Sequence, residues 1–188
     1  MNAVQAASLA WVVFLAYWWW SARGTAETVS AEAGSSRIVH LILLGLAFAL
    51  VLWDGWPRGW LRHHLWPFDS LASWLGTGLT WGGVAWAIWA RRHLGRYWSG
   101  QITLKDDHQL IRTGPYRWSR HPIYTGILLA LAGSAVAVGQ IHALLGFAVG
   151  VLAYVRKIRQ EEAMLRRQFG ATYDAFAREV KALVPGIW

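Results

Sequence analysis

The chain has 188 residues, of which 55% are hydrophobic and 15% charged, with a formal net charge of +8 and a mean hydropathy of +0.28. Apolar residues gathered in long blocks point to a membrane rather than to a soluble domain, and the absence of cysteine excludes disulfides, thiolate nucleophiles and Cys-ligated metals. The basic residues lie beside the apolar blocks, which ties the charge to topology and anionic headgroups and not to nucleic acid.

Five apolar blocks follow in chain order. Residues 3–20 have neither a basic start nor an A-x-A cleavage site and read as a retained span. Residues 29–36 are small and polar and read as a plain loop. Residues 38–53 form a second, slightly short span, and residues 70–90 a third. Residues 122–155 exceed the roughly 20 residues that cross a bilayer as one helix. With Val138-Gly139-Gln140 as the break, they predict a helical hairpin. Many of the 15 tryptophans, including Trp18, Trp19, Trp20, Trp53, Trp56, Trp60, Trp66, Trp89 and Trp98, fall near block ends, as interfacial anchors do.

Fourteen of the 18 Lys and Arg residues lie in segments 91–124 and 156–185, and the hairpin turn between those segments has none. The positive-inside rule places both segments in the cytoplasm and, with five spans, the N-terminus outside. The expected architecture is an all-α integral membrane protein of about five transmembrane helices. It forms a single membrane domain, with an anchor region over 1–90, a catalytic region over 91–188 and a cytoplasmic pocket built from the C-terminal half.

The chemistry-bearing residues concentrate in those two basic segments. Pro122 suits the first turn of the fourth span, where its missing N–H costs nothing. Arg120 and His121 then stand at a helix N-terminus, whose outward N–H groups suit an anion. A second helix is expected to leave the fifth span and close at Gly170. Lys157 with Glu161, and Glu162 with Arg166, stand at i, i+4. By spacing alone these are ordinary surface pairs as readily as parts of a site. His40 and His142 lie inside apolar blocks and read as core or interface groups. Neither they nor His63-His64 make a convincing metal constellation.

The order His108-x-Leu110-Ile111, Gly114-x-Tyr116, Arg120-His121-Pro122-x-Tyr124-x-Gly126, hairpin, Glu161-Glu162 and Phe169-Gly170-x-x-Tyr173 resembles the isoprenylcysteine carboxyl methyltransferase family, whose wider relatives include phospholipid N-methyltransferases. The resemblance covers residues 91–185. It implies an S-adenosyl-L-methionine-dependent methyl transfer to a lipid or prenylated acceptor, in an inner or plasma membrane with the active site facing the cytoplasm. O-methylation of an isoprenylcysteine-type or other lipid-linked carboxylate leads; amine or thiol transfer, or a sterol-reductase-like NADPH-dependent reduction, are the alternatives. Carried over by position, it implies cofactor contacts at Gln101, His108, Gln109, Leu110, Ile111, Tyr116, His121, Pro122, Ile123, Tyr124 and Glu161. It implies a catalytic role for Arg120, and the chemistry adds Glu162 as a candidate catalytic group. Where the family places an arginine for the substrate carboxylate, this chain has Lys157, with Arg156 beside it. A carboxylate acceptor is already ionised and needs no base. An amine would need one, and Glu162 or His121 are the candidates.

Overall fold

A computed structural model describes residues 1–24, 28–31, 34–53, 55, 59–95, 103–105 and 111–184. Five long helices, α1 (Ala3–Ser21), α2 (Gly34–Leu52), α3 (Leu71–Leu94), α4 (Pro122–Val138) and α5 (Ile141–Phe169), are followed by a short α6 (Ala171–Glu179). α1, α2 and α5 are long and apolar enough to cross a bilayer, and α4 is a shorter apolar helix of 17 residues. α3 carries Arg91, Arg92 and His93 in its last turn. The protein is an integral membrane protein of helical class, and large apolar side chains such as Leu41, Ile42 and Leu152 remain exposed on its flanks, where lipid satisfies them.

The helix limits follow local chemistry. Asn2 and Gln5 form a reciprocal capping box that starts α1, and the Asp69 side chain accepts from the Ala3 N–H at 2.7 Å. Pro122 opens α4 and Gly139 ends it in the left-handed conformation, so the expected hairpin break is observed. α5 runs on past its apolar part and stops at Gly170, also as expected.

The tightest contact in the bundle is between α3 and α4. A Cβ placed on Gly83 or Gly126 would strike backbone atoms of the opposite helix, as would one on Gly76 or Gly133. Without a hydrophobic drive between helices in lipid, small residues that admit close backbones are what hold them. Trp11 of α1 donates from Nε1 to the Ser134 hydroxyl at 2.9 Å, which in turn contacts Thr80 at 3.2 Å, joining three helices through satisfied buried polar groups. The antiparallel run of α3, α4 and α5 brings the end of α3, the start of α4 and the end of α5 to one end of the bundle. Arg91 donates to the Ser21 carbonyl at 2.7 Å, and the Ser36 hydroxyl donates to Gln160 at 2.9 Å. The end of α1 and the start of α2 therefore meet at that same end.

One expectation needs correction. The stretch 29–36 is not a plain loop: Thr28–Ala31 (β1) pairs antiparallel with Thr103–Lys105 (β2), and α2 already begins at Gly34. The pairing is between segments some 75 residues apart, so no local pattern announces it.

Candidate active site

The site is assembled at the end of the bundle where α4 begins and α5 leaves its apolar part. Ahead of α4, the 3-10 turn Gly114–Arg117 buries Tyr116. Gly114 has φ +57, and a Cβ there would also strike the His93 ring, so glycine is required on two counts. His93 stacks on Tyr116 at 6.3 Å and contacts the Thr113 hydroxyl at 2.9 Å. Burial, reinforced by the charge of Glu161 and opposed by Arg91, raises the Tyr116 hydroxyl pKa, so this phenol stays protonated.

Glu162 is the centre of an ion network. Its Oε1 accepts from Arg120 Nε at 2.9 Å and Nη2 at 2.5 Å and faces His121 Nε2 at 3.3 Å. Its Oε2 accepts from Arg166 at 3.2 Å. Arg120 also donates through Nη1 to the carbonyls of Ala177, at 3.1 Å, and Val180. The side chains of Arg120 and Glu162 are each 10% exposed. Glu162 sits on the polar extension of α5, beyond the apolar stretch. Burial alone would raise its carboxyl, but hydrogen bonds and charge from His121 and Arg120 outweigh that and hold it at about 2.

Glu161, next in the chain, faces elsewhere. Its Oε2 accepts from the Tyr124 hydroxyl at 2.8 Å and lies 3.8 Å from His121 Nδ1, and its side chain is 31% exposed. The His121 and Tyr124 rings stack in parallel at 5.5 Å. Tyr124 leans on Tyr154 at 5.0 Å, and Tyr154 meets His40 of α2 edge-on at 5.5 Å.

The backbone donors just ahead of α4 are taken by the chain itself. The Arg120 and His121 N–H groups donate to the carbonyls of Lys181 and Ala182 at 2.9 and 3.0 Å. Ser119 donates to the Ala182 carbonyl at 2.7 Å and Thr125 to that of Leu183 at 3.0 Å. The chain's own tail, folding back after α6, satisfies the two backbone donors that precede Pro122.

Of the residues singled out in the sequence, the structure brings Tyr116, Arg120, His121, Tyr124, Glu161 and Glu162 into one neighbourhood. Pro122 and Ile123 are buried at the base of α4, and Ile123 packs into the hydrophobic core. Ile111 is half-buried, and Gln101, His108, Gln109 and Leu110 lie outside the described residues. Lys157 is 6% exposed on α5. Arg156 faces α2, donating to the Ser36 carbonyl at 3.2 Å and to its hydroxyl at 3.3 Å. The i, i+4 pair of Glu162 with Arg166 forms. Sequence reasoning missed Tyr154 and the tail. Tyr154 had a signal, since it stands seven residues before Glu161 and shares its helix face. The tail had none, and His40, read as a core or interface group, is buried against Tyr154.

Fold and site together define a helical membrane protein with a polar, carboxylate-centred cluster at one end of an antiparallel helix set. Residues 77–167 match the model of the isoprenylcysteine carboxyl methyltransferase (ICMT) family, and the resemblance read from the motifs is borne out. The matched segment starts within α3 and stops before the Phe169-Gly170-x-x-Tyr173 piece. A probable protein-S-isoprenylcysteine O-methyltransferase of Oryza sativa subsp. indica is 34% identical over 88 residues, 46% of each chain. Methanethiol S-methyltransferase 2 of Bradyrhizobium diazoefficiens is 31% identical over 165 residues, 81% of this chain and 60% of that protein. The solved eukaryotic intramembrane Ras methyltransferase ICMT superposes with a TM-score of 0.56 at 20% identity, over 81% of this chain and 52% of that one; the two share a fold. The chain spans about half the length of the curated relatives it matches.

Proposed function

We propose that this chain transfers a methyl group from S-adenosyl-L-methionine to a lipid-borne carboxylate at the cytoplasmic face of a membrane. The single observation that carries the reading is the Tyr124–Glu161 hydrogen bond at 2.8 Å. It joins the two motif halves, separated in sequence by a helical hairpin, into one pocket wall. The donor set fits the cofactor: a part-exposed carboxylate suits its amine or ribose diol, and stacked aromatic rings suit its adenine or sulfonium. Glu161, Tyr124, His121 and Tyr116 would hold it. When bound, it supplies an electrophilic methyl that needs only alignment with a nucleophile about 3–3.5 Å away.

The residues of the chain do the aligning. An ionised carboxylate acceptor requires no base but does require a cation, and buried Lys157, one turn before Glu161, supplies a point charge in place of a bidentate fork. Arg120 and Glu162 act as one unit, the guanidinium lending positive potential to the pocket while fixing the tail beside it. Arg156, bonded to Ser36, orients α2 instead of the acceptor. The concentration of Lys and Arg at this end of the bundle supports a cytoplasmic orientation.

A second reading, transfer to a thiol, is favoured by one finding: the Bradyrhizobium relative aligns through the N-terminal half as well. Calorimetry on the detergent-purified chain tests the reading. Binding of S-adenosylhomocysteine is expected, and binding of NADPH without it would overturn it. Incubating membranes with radiolabelled cofactor then shows which extractable lipid gains the label.

A further inference from the structure

Three tyrosines stand in the motif pieces read from the sequence. Tyr116 and Tyr124 are assigned to the cofactor, and Tyr173 of α6 has no role yet. Tyr173 is 1% exposed, and its hydroxyl is buried with no hydrogen-bond partner among the described residues. The Tyr124 hydroxyl, by contrast, donates to Glu161. A buried hydroxyl without a partner costs stability, and phenylalanine would fill the same space without that cost. The ring itself is held firmly: the Arg166 guanidinium lies over it at 5.5 Å and Phe176 meets it edge-on at 6.3 Å. One turn further along α6, the Ala177 carbonyl accepts from Arg120 Nη1. Burial first, then the charge of Glu162, raises the Tyr173 hydroxyl pKa against the opposing effect of Arg120, so the phenol stays protonated.

The neighbours of that hydroxyl say where its proton can go. Arg120 is a donor only; it approaches the phenol without completing a hydrogen bond and cannot take its proton. Glu162 is an acceptor. Its Oε1 takes both Nε and Nη2 of Arg120, while its Oε2 accepts from Arg166 and keeps a lone pair. Arg120 is anchored separately, through Nη1, to the carbonyls of Ala177 and Val180. Its Nε–Nη2 edge is a planar fork of the kind that suits a carboxylate, and Lys157 offers only a point charge. We propose that Tyr173 is a positioning residue for methyl transfer: when the Nε–Nη2 edge of Arg120 swings from Glu162 to the acceptor carboxylate, the Tyr173 hydroxyl donates to Glu162 in its place. The proposal rests on the carboxylate reading above and deepens it. No covalent bond changes in the swing and no proton is transferred. Two N–H donors pass from one carboxylate to another, one O–H hydrogen bond forms, and Nη1 serves as the pivot that keeps the tail in place. Without the tyrosine, a buried carboxylate would be left short of donors, which is costly.

The experiment compares wild type with Tyr173→Phe, as full chains in detergent, with N-acetyl-S-farnesylcysteine as the acceptor. Free of ligands, the variant should melt at a higher temperature, because it loses only an unpartnered hydroxyl. Its kcat should nevertheless fall about 10–100-fold, the worth of one hydrogen bond to a charged group, with KM for S-adenosyl-L-methionine unchanged. A structural role would move stability and turnover in the same direction. Infrared difference spectra supply the direct readout. A tyrosine C–O band should shift when the acceptor joins S-adenosylhomocysteine on the wild type, and that band should be missing from Tyr173→Phe. A variant that melts lower than wild type, a variant with wild-type kcat, a band that stays put, or one that moves with S-adenosylhomocysteine alone would each overturn the proposal while leaving the methyl-transfer reading intact. A wild type that fails to bind S-adenosylhomocysteine, or binds it and leaves the carboxylate unmethylated, overturns that reading and the proposal with it.

Discussion

The two sides of the pocket are built on consecutive residues of one helix, and they differ in what their carboxylate is bonded to. On the Glu162 side the carboxylate is enclosed by Arg120, Arg166 and His121, and Arg120 reaches on to the tail carbonyls of Ala177 and Val180. On the Glu161 side, a carboxylate three times more exposed meets a tyrosine hydroxyl and a row of stacked rings. One side is an internally satisfied brace, the other a more exposed wall of aromatic rings, to which the proposed function assigns the cofactor. A helical step of about 100° between neighbours makes this division possible, and the two adjacent glutamates therefore take different partners.

The largest expected effect comes from breaking the brace. Arg120→Ala leaves Glu162 without its closest cation and should cost about 3–5 kcal/mol, as removing one partner of a buried ion pair does. Methyl transfer should be lost, and limited proteolysis should find the tail after Phe176 newly cleavable. Normal turnover in that variant would show that the brace is dispensable. Next in size is the wall. Glu161→Ala should weaken S-adenosylhomocysteine binding by about 10–100-fold in calorimetry, the worth of a hydrogen bond to a charged group, while leaving the tail protected. If it exposes the tail instead, the division between the two sides is wrong.

A pH titration sharpens the contrast. A carboxyl held at about 2 in the folded chain, below its unfolded value near 4.5, contributes stability that is present above pH 4.5 and lost as pH falls toward 2. Tail protection should weaken across that window, and Glu162→Gln should flatten the dependence. The smallest effect is expected at Lys157→Arg. Restoring a bidentate donor should lower KM for a carboxylate acceptor a few-fold and leave cofactor affinity alone.

The sequence by itself determined the membrane class, the helical hairpin broken at Gly139, the start at Pro122 and the stop at Gly170. These follow from hydropathy, proline and glycine, whose effects act within a few residues. It also determined which motif pieces meet at one end of the bundle, because of their order and the even number of helices between them. What only the tertiary structure decided depends on contacts between distant segments. Thr28–Ala31 pairs with Thr103–Lys105, tail carbonyls accept from Arg120 and His121, Glu161 and Glu162 take different partners, and His40 of α2 meets Tyr154 at the end of the ring row. A backbone donor is satisfied by whichever carbonyl folds against it. Nothing near Arg120 in the chain says that this carbonyl belongs to Lys181, some sixty residues on.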